Sequence, residues 1–110
     1  MFENKGDIRN SIKAIIINNN KILLTHNEYG GEQFYLLPGG GQNHGETIID
    51  ALKRECLEEV NSSVDVLRLR FIREYIGKNH QFASEDSDVH QVELMFECRL
   101  IDDNLKLTEN

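Results

Sequence analysis

Three glutamates fall close together in the stretch from residue 38 to residue 63, PGGGQNHGETIIDALKRECLEEVNSS. If this stretch is helical, Glu55, Glu58 and Glu59 lie within an arc of about 100°, beside the apolar stripe. Like charges three or four residues apart cost a helix roughly 0.2–0.5 kcal/mol per pair, and the C-terminal half of a helix disfavours negative charge. A divalent cation would convert this repulsion into attraction, because Mg²⁺ and Mn²⁺ prefer carboxylate oxygens.

A second interpretation of this helix needs no ligand. Glutamate is a good helix former, and a charged arc is usually a solvated face. Arg54 is four residues from Asp50 and from Glu58, so ion pairs would offset part of the repulsion. On the helix alone, the solvated face is the more common explanation.

The three glycines before the helix favour a ligand-binding loop. Gly39, Gly40 and Gly41 would let the backbone approach a ligand and present its N–H and C=O groups. Two common phosphate loops do not fit. A P-loop would need lysine where Glu46 stands, and a dinucleotide fingerprint starting at Gly39 would need glycine where His44 stands.

Taken together, these residues resemble the Nudix box, the signature of the Nudix hydrolase family. That signature is Gly, five residues, Glu, seven residues, and then Arg-Glu-aliphatic-any-Glu-Glu-any-Gly-aliphatic, which aligns here with Gly40 to Ser62. Cys56 and Asn61 are mild departures, since a buried thiol packs as a small hydrophobe and asparagine tolerates left-handed backbone. Ser62 replaces the last aliphatic residue. The matching positions are Gly40, Glu46, Arg54, Glu55, Glu58 and Glu59.

The resemblance implies a hydrolase that cleaves the pyrophosphate linkage of a nucleoside diphosphate joined to another moiety, with Mg²⁺ or Mn²⁺ as cofactor. The alternative is a non-catalytic nucleotide-binding or regulatory domain on the same scaffold. The resemblance also implies an α/β fold, an α/β/α sandwich with a mixed β-sheet. Because family members usually continue with a further strand and a C-terminal helix, the chain is expected either to form a minimal domain without them or to lack its natural end. A sheet face left uncovered in this way would favour a homodimer.

The resemblance assigns roles to individual residues. The metal would be held by Glu55, Glu58, Glu59 and a backbone carbonyl, that of Gly39. Arg54 and Glu46 would orient this cluster, and Gly40, Gly41 and Glu46 would form the substrate loop. The implied catalytic residues are Arg54, Glu55 and Glu58, with Glu85, Glu93 and Glu97 as candidates for a different general base or an extra ligand.

The elements that position these residues follow from hydrophobic periodicity. Aliphatic runs at 11–17 and 21–26 flank three asparagines and predict a hairpin. Residues 28–33 are predicted to form a loop, 34–38 a short strand and 39–45 a glycine-rich loop. Strands are predicted over 64–77 and 90–100, separated by a polar, mobile loop over 77–89.

The helix itself is predicted from a cap, a stripe and a stop. Thr47 and Asp50 fit a capping box, and Asn61 fits a left-handed C-cap. The predicted buried stripe consists of Ile49, Leu52, Cys56 and Val60. Other residues are equal candidates for contacts with a nucleotide, although solvated and packing roles are more common for such residues. Those that could steer a phosphate are Lys13, Lys21 and Lys53, and those that could stack on a base are Tyr29, Phe34, Tyr35 and Phe82.

Composition limits the classes of protein that the chain can belong to. The 110 residues suffice for one domain, 1–110, and a net charge of −7 argues against binding nucleic acid or anionic membranes. No apolar run approaches the roughly 18 residues of a membrane span. Cys56 and Cys98 lie in apolar patterns and are interpreted as free buried thiols of a cytoplasmic protein. The predicted partner is a small nucleotide.

Overall fold

The structure is a computed structural model that describes residues 7–77 and 88–101. Within these ranges the chain forms seven strands and one helix, in the order β1 Arg9–Asn18, β2 Lys21–Ile22, β3 Thr25–Tyr29, β4 Glu32–Leu36, β5 Gly39–Gly41, α1 Ile48–Val60, β6 Val64–Ile76 and β7 His90–Leu100. No helix in the described part of the chain is long and apolar enough to cross a membrane.

The main sheet is mixed, as expected for the fold class. Its strand order is β2-β1-β7-β6, and β5 pairs with the edge of β1 that also carries β2. The β1–β7 pair is parallel, whereas β1–β2, β1–β5 and β6–β7 are antiparallel. Strands β3 and β4 form a separate two-stranded sheet, the β3–β4 hairpin.

One face of the sheet packs against α1. Alternate side chains of β1, those of Ile12, Ala14 and Ile16, are buried against Ala51 and Leu52 of the helix. The helix begins after Thr47, whose hydroxyl accepts from the Asp50 N–H at 3.0 Å, and ends at Asn61 with φ 55° and ψ 40°. The C-cap at Asn61 and the hydroxyl half of the capping box at Thr47 are therefore confirmed. The buried stripe differs in one member, because Ile49 is exposed and Ala51 is buried in its place.

Two loop predictions are wrong in the same way, because glycines that predicted irregular structure instead form strand pairs and a tight turn. Residues 28–33 belong to the β3–β4 hairpin, with Gly30 and Gly31 at positive φ between paired strands. The first part of the glycine-rich loop, Gly39–Gly41, is the strand β5. The asparagine turn is confirmed, since Asn19 and Asn20 both have positive φ between β1 and β2.

The two long strands lie where they are predicted, but only β7 alternates regularly. Its Leu94, Phe96 and Cys98 lie toward the core. β6 carries register shifts at Val66/Arg68 and at Leu69/Phe71, which interrupt its regular alternation. Most of the loop predicted at 77–89 lies outside the described residues.

Candidate functional site

The floor of the candidate site is the glycine strand β5, which runs antiparallel to β1 with Ile12 opposite Gly40. Gly39 has φ 139°, and a Cβ there would collide with the carbonyl oxygen of Ile12. A Cβ at Gly40 would lie only 2.7 Å from carboxylate atoms of Glu55. Glycine at 40 is therefore what allows the Glu55 carboxylate to rest directly on the backbone of β5.

Helix α1 carries the carboxylates to this floor. The helix begins at Ile48, directly after the Thr47 cap. Glu55 and Glu59 follow Ile48 by seven and eleven residues, and the turn of the helix places both above β5. The Glu55 side chain is 15% exposed, whereas the Glu58 side chain is 59% exposed. The arc predicted from the sequence therefore has an inner part, which faces β5, and an outer part, which faces solvent.

Arg54 is the centre of the site and uses all five N–H groups of its guanidinium. Its Nε donates to Glu46 Oε2 at 2.6 Å, and its Nη2 donates to Glu46 Oε1 at 3.0 Å. The same Nη2 donates to the carbonyl oxygen of Gly41 at 3.0 Å. The Nη1 group donates to Glu55 Oε2 at 2.9 Å and to Glu58 Oε1 at 3.2 Å. One side chain thereby joins the glycine strand, the following loop and the helix.

The loop between β5 and α1 is closed upon itself around Glu46. The Asn43 N–H donates to Glu46 Oε1 at 2.9 Å, and the Gln42 side chain donates to the Glu46 carbonyl at 2.7 Å. The hydrogen bond from Arg54, followed by that from the Asn43 N–H, lowers the pKa of Glu46, and the same Arg54–Glu46 bond raises the pKa of Arg54. Both groups are therefore charged at neutral pH.

Glu59 occupies the other end of β5. Its Oε1 accepts from the Gly39 N–H at 3.2 Å. Burial raises the pKa of Glu59, and the proximity of Glu55 raises it further, while the Gly39 N–H acts in the opposite direction. A cation bound beside Glu55 and Glu59 would offset the repulsion that raises the pKa of Glu59.

The site does not hold a ready-made set of metal ligands. In the part of the chain that the structure describes, no three Asp, Glu, His or Cys side chains already converge as ligands. The physical reason is visible at Glu58, whose carboxylate is bound to Arg54 rather than gathered with Glu59. The donor set nevertheless suits a hard divalent cation, because it consists of carboxylate oxygens against a glycine backbone. Glu58 would have to leave Arg54 to join it.

The remaining candidate residues lie elsewhere. Glu93 and Glu97 alternate with Leu94 and Phe96 along β7, so they occupy the sheet face away from α1. Both are paired there: Glu93 with Arg73 at 3.0 Å, and Glu97 with Arg70 at 2.9 Å and Arg68 at 3.2 Å. Glu85 lies outside the described residues.

Sequence reasoning did not single out the loop closure near the site, and it named Lys13 only as one of three lysines that could steer a phosphate. Gln42 and Asn43 close the loop around Glu46, and their signal is only the polar composition of a turn. Lys13 lines a pocket beside Glu59 and Gly39. A lysine inside the aliphatic run of β1 is unusual enough to indicate a functional position. Which face of the sheet its side chain occupies depends on how the strands pair.

Comparison with known proteins supports the motif. The model of the NUDIX domain matches residues 7–110. A NUDIX hydrolase from Nitrosomonas europaea has a similar fold, with a TM-score of 0.74 and 26% identity over 93% of this chain and 66% of that one. No protein with a curated description matches the sequence.

Two further structures share the fold at lower identity. A UDP-X diphosphatase has a TM-score of 0.72 and 23% identity over 96% of this chain and 48% of that one. An ADP-ribose pyrophosphatase from Streptococcus suis has a TM-score of 0.62 and 22% identity over 92% of this chain and 66% of that one. The chain thus spans between about half and two thirds of the length of these proteins. With the domain model matching nearly the whole sequence, the chain belongs to the Nudix family.

Proposed function

We propose that this chain is a metal-dependent diphosphohydrolase that cleaves the pyrophosphate linkage of a nucleoside diphosphate joined to another moiety. Membership of the family and the hydrolase and pyrophosphatase names of its structural neighbours support this class of reaction. Nucleoside triphosphates, dinucleoside polyphosphates and nucleotide sugars are the substrates to test.

The observation that carries the proposal is the charge balance around Arg54. Three carboxylates, those of Glu46, Glu55 and Glu58, share one guanidinium, which leaves two negative charges when all are ionised. On the far face of the sheet the balance is the reverse, because Glu93 and Glu97 share three arginines. Of these two clusters, the one where α1 meets β5 therefore carries the excess of negative charge, and a divalent cation is the group that it suits.

In this proposal Mg²⁺ or Mn²⁺ is held by Glu55, Glu58 and Glu59, with the Gly39 carbonyl as a further ligand. The bound ion would polarise phosphoryl oxygens and lower the pKa of water. Arg54 acts as a positioning residue, because its bonds to Glu46 and to the Gly41 carbonyl hold the helix against β5. Glu46 in turn keeps Arg54 charged and oriented.

Glu55 is our candidate for the proton acceptor. It is largely buried and lies against Gly40, where a substrate approaching the glycine strand would meet it. Glu93 and Glu97 are less suited to this role, since arginines hold both of them on the opposite face of the sheet.

The test is turnover by the full chain with Mg²⁺, followed by the variant Glu58→Gln. We expect release of monophosphate or phosphate from at least one substrate of the panel, and a loss of kcat of at least about 100-fold in the variant, because a neutral amide binds the cation poorly. Glu32→Gln, an exposed glutamate of β4, is the matched control and should retain full activity. An active Glu58→Gln enzyme would contradict the assigned role.

One observation favours the alternative of a nucleotide-binding domain without turnover. Glu58 is bound to Arg54, and the described carboxylates do not converge as metal ligands. Calorimetry that detects nucleotide binding, combined with no product from any substrate of the panel, would favour this alternative over the hydrolase.

A further inference from the structure

A pocket lies between the glycine strand β5 and the β3–β4 hairpin, and we call it the hairpin pocket. Its volume is about 290 Å³, and its walls include Lys13, His26, Leu36, Gly39 and Glu59. This volume is near the lower end of the range for small-molecule sites, roughly 300–1,000 Å³. Because Gly39 and Glu59 also belong to the candidate site, a ligand bound at the carboxylates could extend directly into this pocket.

Lys13 is the cationic group of the hairpin pocket. It is half-buried, and its Nζ donates to the Leu37 carbonyl at 3.4 Å, a long hydrogen bond. Within residues 7–77 and 88–101 it makes no ion pair with a carboxylate. Its charge does lie close enough to Glu59 to lower the pKa of that carboxyl. A phosphate oxygen entering the pocket would therefore meet a lysine that has a carboxylate nearby but no salt bridge to break within this part of the chain.

The β3–β4 hairpin supplies this pocket with a flat ring in a defined orientation. His26 of β3 pairs with Tyr35 of β4, and their rings stack with centroids 5.0 Å apart and an interplanar angle of 19°. The imidazole Nε2 also hydrogen-bonds to Gln33 Oε1 at 3.0 Å. The ring is therefore held on two sides, and together with Leu36 it forms the surface on which a planar group could pack.

We propose that the hairpin pocket binds the nucleoside monophosphate part of the substrate, with a phosphate oxygen on Lys13 and the base against His26. The proposal deepens the proposed function and rests on it for the orientation of the substrate, since the second phosphate would then lie at the carboxylates of α1. The physical reason is charge: a diphosphate beside an acidic site needs cations on both sides, and Lys13 supplies the one that the helix cannot.

Isothermal titration of the full chain with ADP and with inorganic pyrophosphate, both with Mg²⁺, tests the two contacts separately. Lys13→Met should weaken both probes at least tenfold, whereas Lys13→Arg should stay within about threefold of the parent. His26→Ala should weaken ADP about tenfold, the size expected for loss of one stacking contact, and leave pyrophosphate within twofold. Failure of the parent protein to bind either probe would overturn the proposal.

Matched controls come from the same elements outside the pocket. Lys21→Met on β2 and Tyr29→Ala at the hairpin end should bind both probes within twofold of the parent. Equal losses in Lys13→Met and Lys21→Met would overturn the proposal, because they would indicate non-specific attraction of an anion. An NMR titration of the parent protein needs no variant. The largest shifts on adding ADP should fall at Lys13 and His26, and shifts centred instead on residues 8–10 and 42–46 would contradict the assignment.

Kinetics and binding together distinguish a wrong assignment of the hairpin pocket from a wrong proposed function. Turnover of a nucleotide with unchanged kcat and KM in both Lys13→Met and His26→Ala would overturn the pocket and leave the hydrolase standing. Binding of ADP that depends on Lys13, with no turnover of any substrate, would support the pocket and contradict the hydrolase.

Discussion

At the scale of single residues, Arg54 is the side chain on which most of the candidate site depends. Its guanidinium bonds to three carboxylates and to a backbone carbonyl, and three of its neighbours come from different parts of the chain. This set of hydrogen bonds needs a planar group with donors in fixed directions, which lysine does not have. A nearby salt bridge on the sheet surface, Arg99 with Asp65, uses a single donor and has no such requirement.

This difference leads to a prediction for Arg54→Lys. We expect the variant to fold and to lose about 10–100-fold in kcat/KM, the size usual for groups that orient metal ligands. Arg99→Lys is the matched exchange and should be as active as the parent protein. Steady-state kinetics of the two variants would check this, and an Arg54→Lys enzyme with parental kcat/KM would show that this set of hydrogen bonds is not needed.

The two cysteines give a prediction about alkaline pH. Burial raises the pKa of Cys56 from 9.0 to about 12 and the pKa of Cys98 to about 11. Both thiols therefore remain protonated in the folded protein above the pH at which the unfolded chain ionises. Their contribution to the free energy of unfolding is complete below pH 9 and is lost progressively as the pH rises toward 11 and 12.

The same burial predicts chemical inertness at pH 8. Fewer than about one thiol in a thousand would be ionised in the folded protein, and neither is accessible to reagent. Native protein should consume almost no Ellman reagent, whereas protein in concentrated urea should titrate two thiols. Rapid labelling of either cysteine in the native state would contradict this.

At the scale of elements, the site depends on a strand without side chains. β5 supplies a backbone surface that lets α1 approach, because any Cβ at Gly39 or Gly40 would meet backbone or carboxylate. Caps at Thr47 and Asn61 determine where the helix begins and ends, and burial of Ala51, Leu52 and Cys56 sets its rotation relative to the sheet. Close approach and fixed rotation together bring Glu55 and Glu59 onto the glycines.

Gly39 and Gly45 form a matched pair that tests the close approach. Both have positive φ, but a Cβ at Gly39 would collide with the Ile12 carbonyl, whereas a Cβ at Gly45 would meet nothing within 4 Å. Gly45→Ala should lower the free energy of unfolding by about 1–2 kcal/mol from backbone strain alone. Gly39→Ala should lose about 1–3 kcal/mol more because of the collision. Equal losses in urea denaturation would show that β5 moves freely away from β1.

At the scale of the whole molecule, charge is distributed unevenly between the two faces of the sheet. The chain is acidic, with a net charge of −7, yet on the face away from α1 the ion pairs between β6 and β7 join three arginines to two glutamates. Negative charge is in excess where α1 and β5 meet. A cation bound there would relieve repulsion within the folded state that the unfolded chain does not have. Dimerisation and a cytoplasmic location stay predictions.

Metal binding should therefore raise the stability of the whole domain. At a hundredfold excess over the dissociation constant, Mg²⁺ or Mn²⁺ would add about 2.7 kcal/mol and raise Tm by roughly 10 °C or more. Differential scanning calorimetry at constant ionic strength would measure the shift. Glu59→Gln should reduce it and Glu32→Gln should not. Identical melting curves with and without either metal would contradict a metal site.

The sequence by itself determined the parts of this protein that depend on local geometry. The turn of a helix places Glu55, Glu58 and Glu59 on one arc wherever the helix lies, and Thr47 and Asn61 mark its ends through hydrogen bonds to near neighbours. The Nudix signature combines these local features with spacing, so the family too could be recognised from residues 40–62.

Only the tertiary structure decided which elements meet. Gly39, Gly40 and Gly41 predict a loop but form the strand β5, because an edge of β1 is free to pair with them. Gly30 and Gly31 close a hairpin because β3 and β4 pair with each other. The direction of Lys13, the division of the arc into buried Glu55 and exposed Glu58, and the bonds of Arg54 to Glu46 and Gly41 depend on how distant parts of the chain meet. Pairing is chosen by long-range packing, for which no local pattern carries the information.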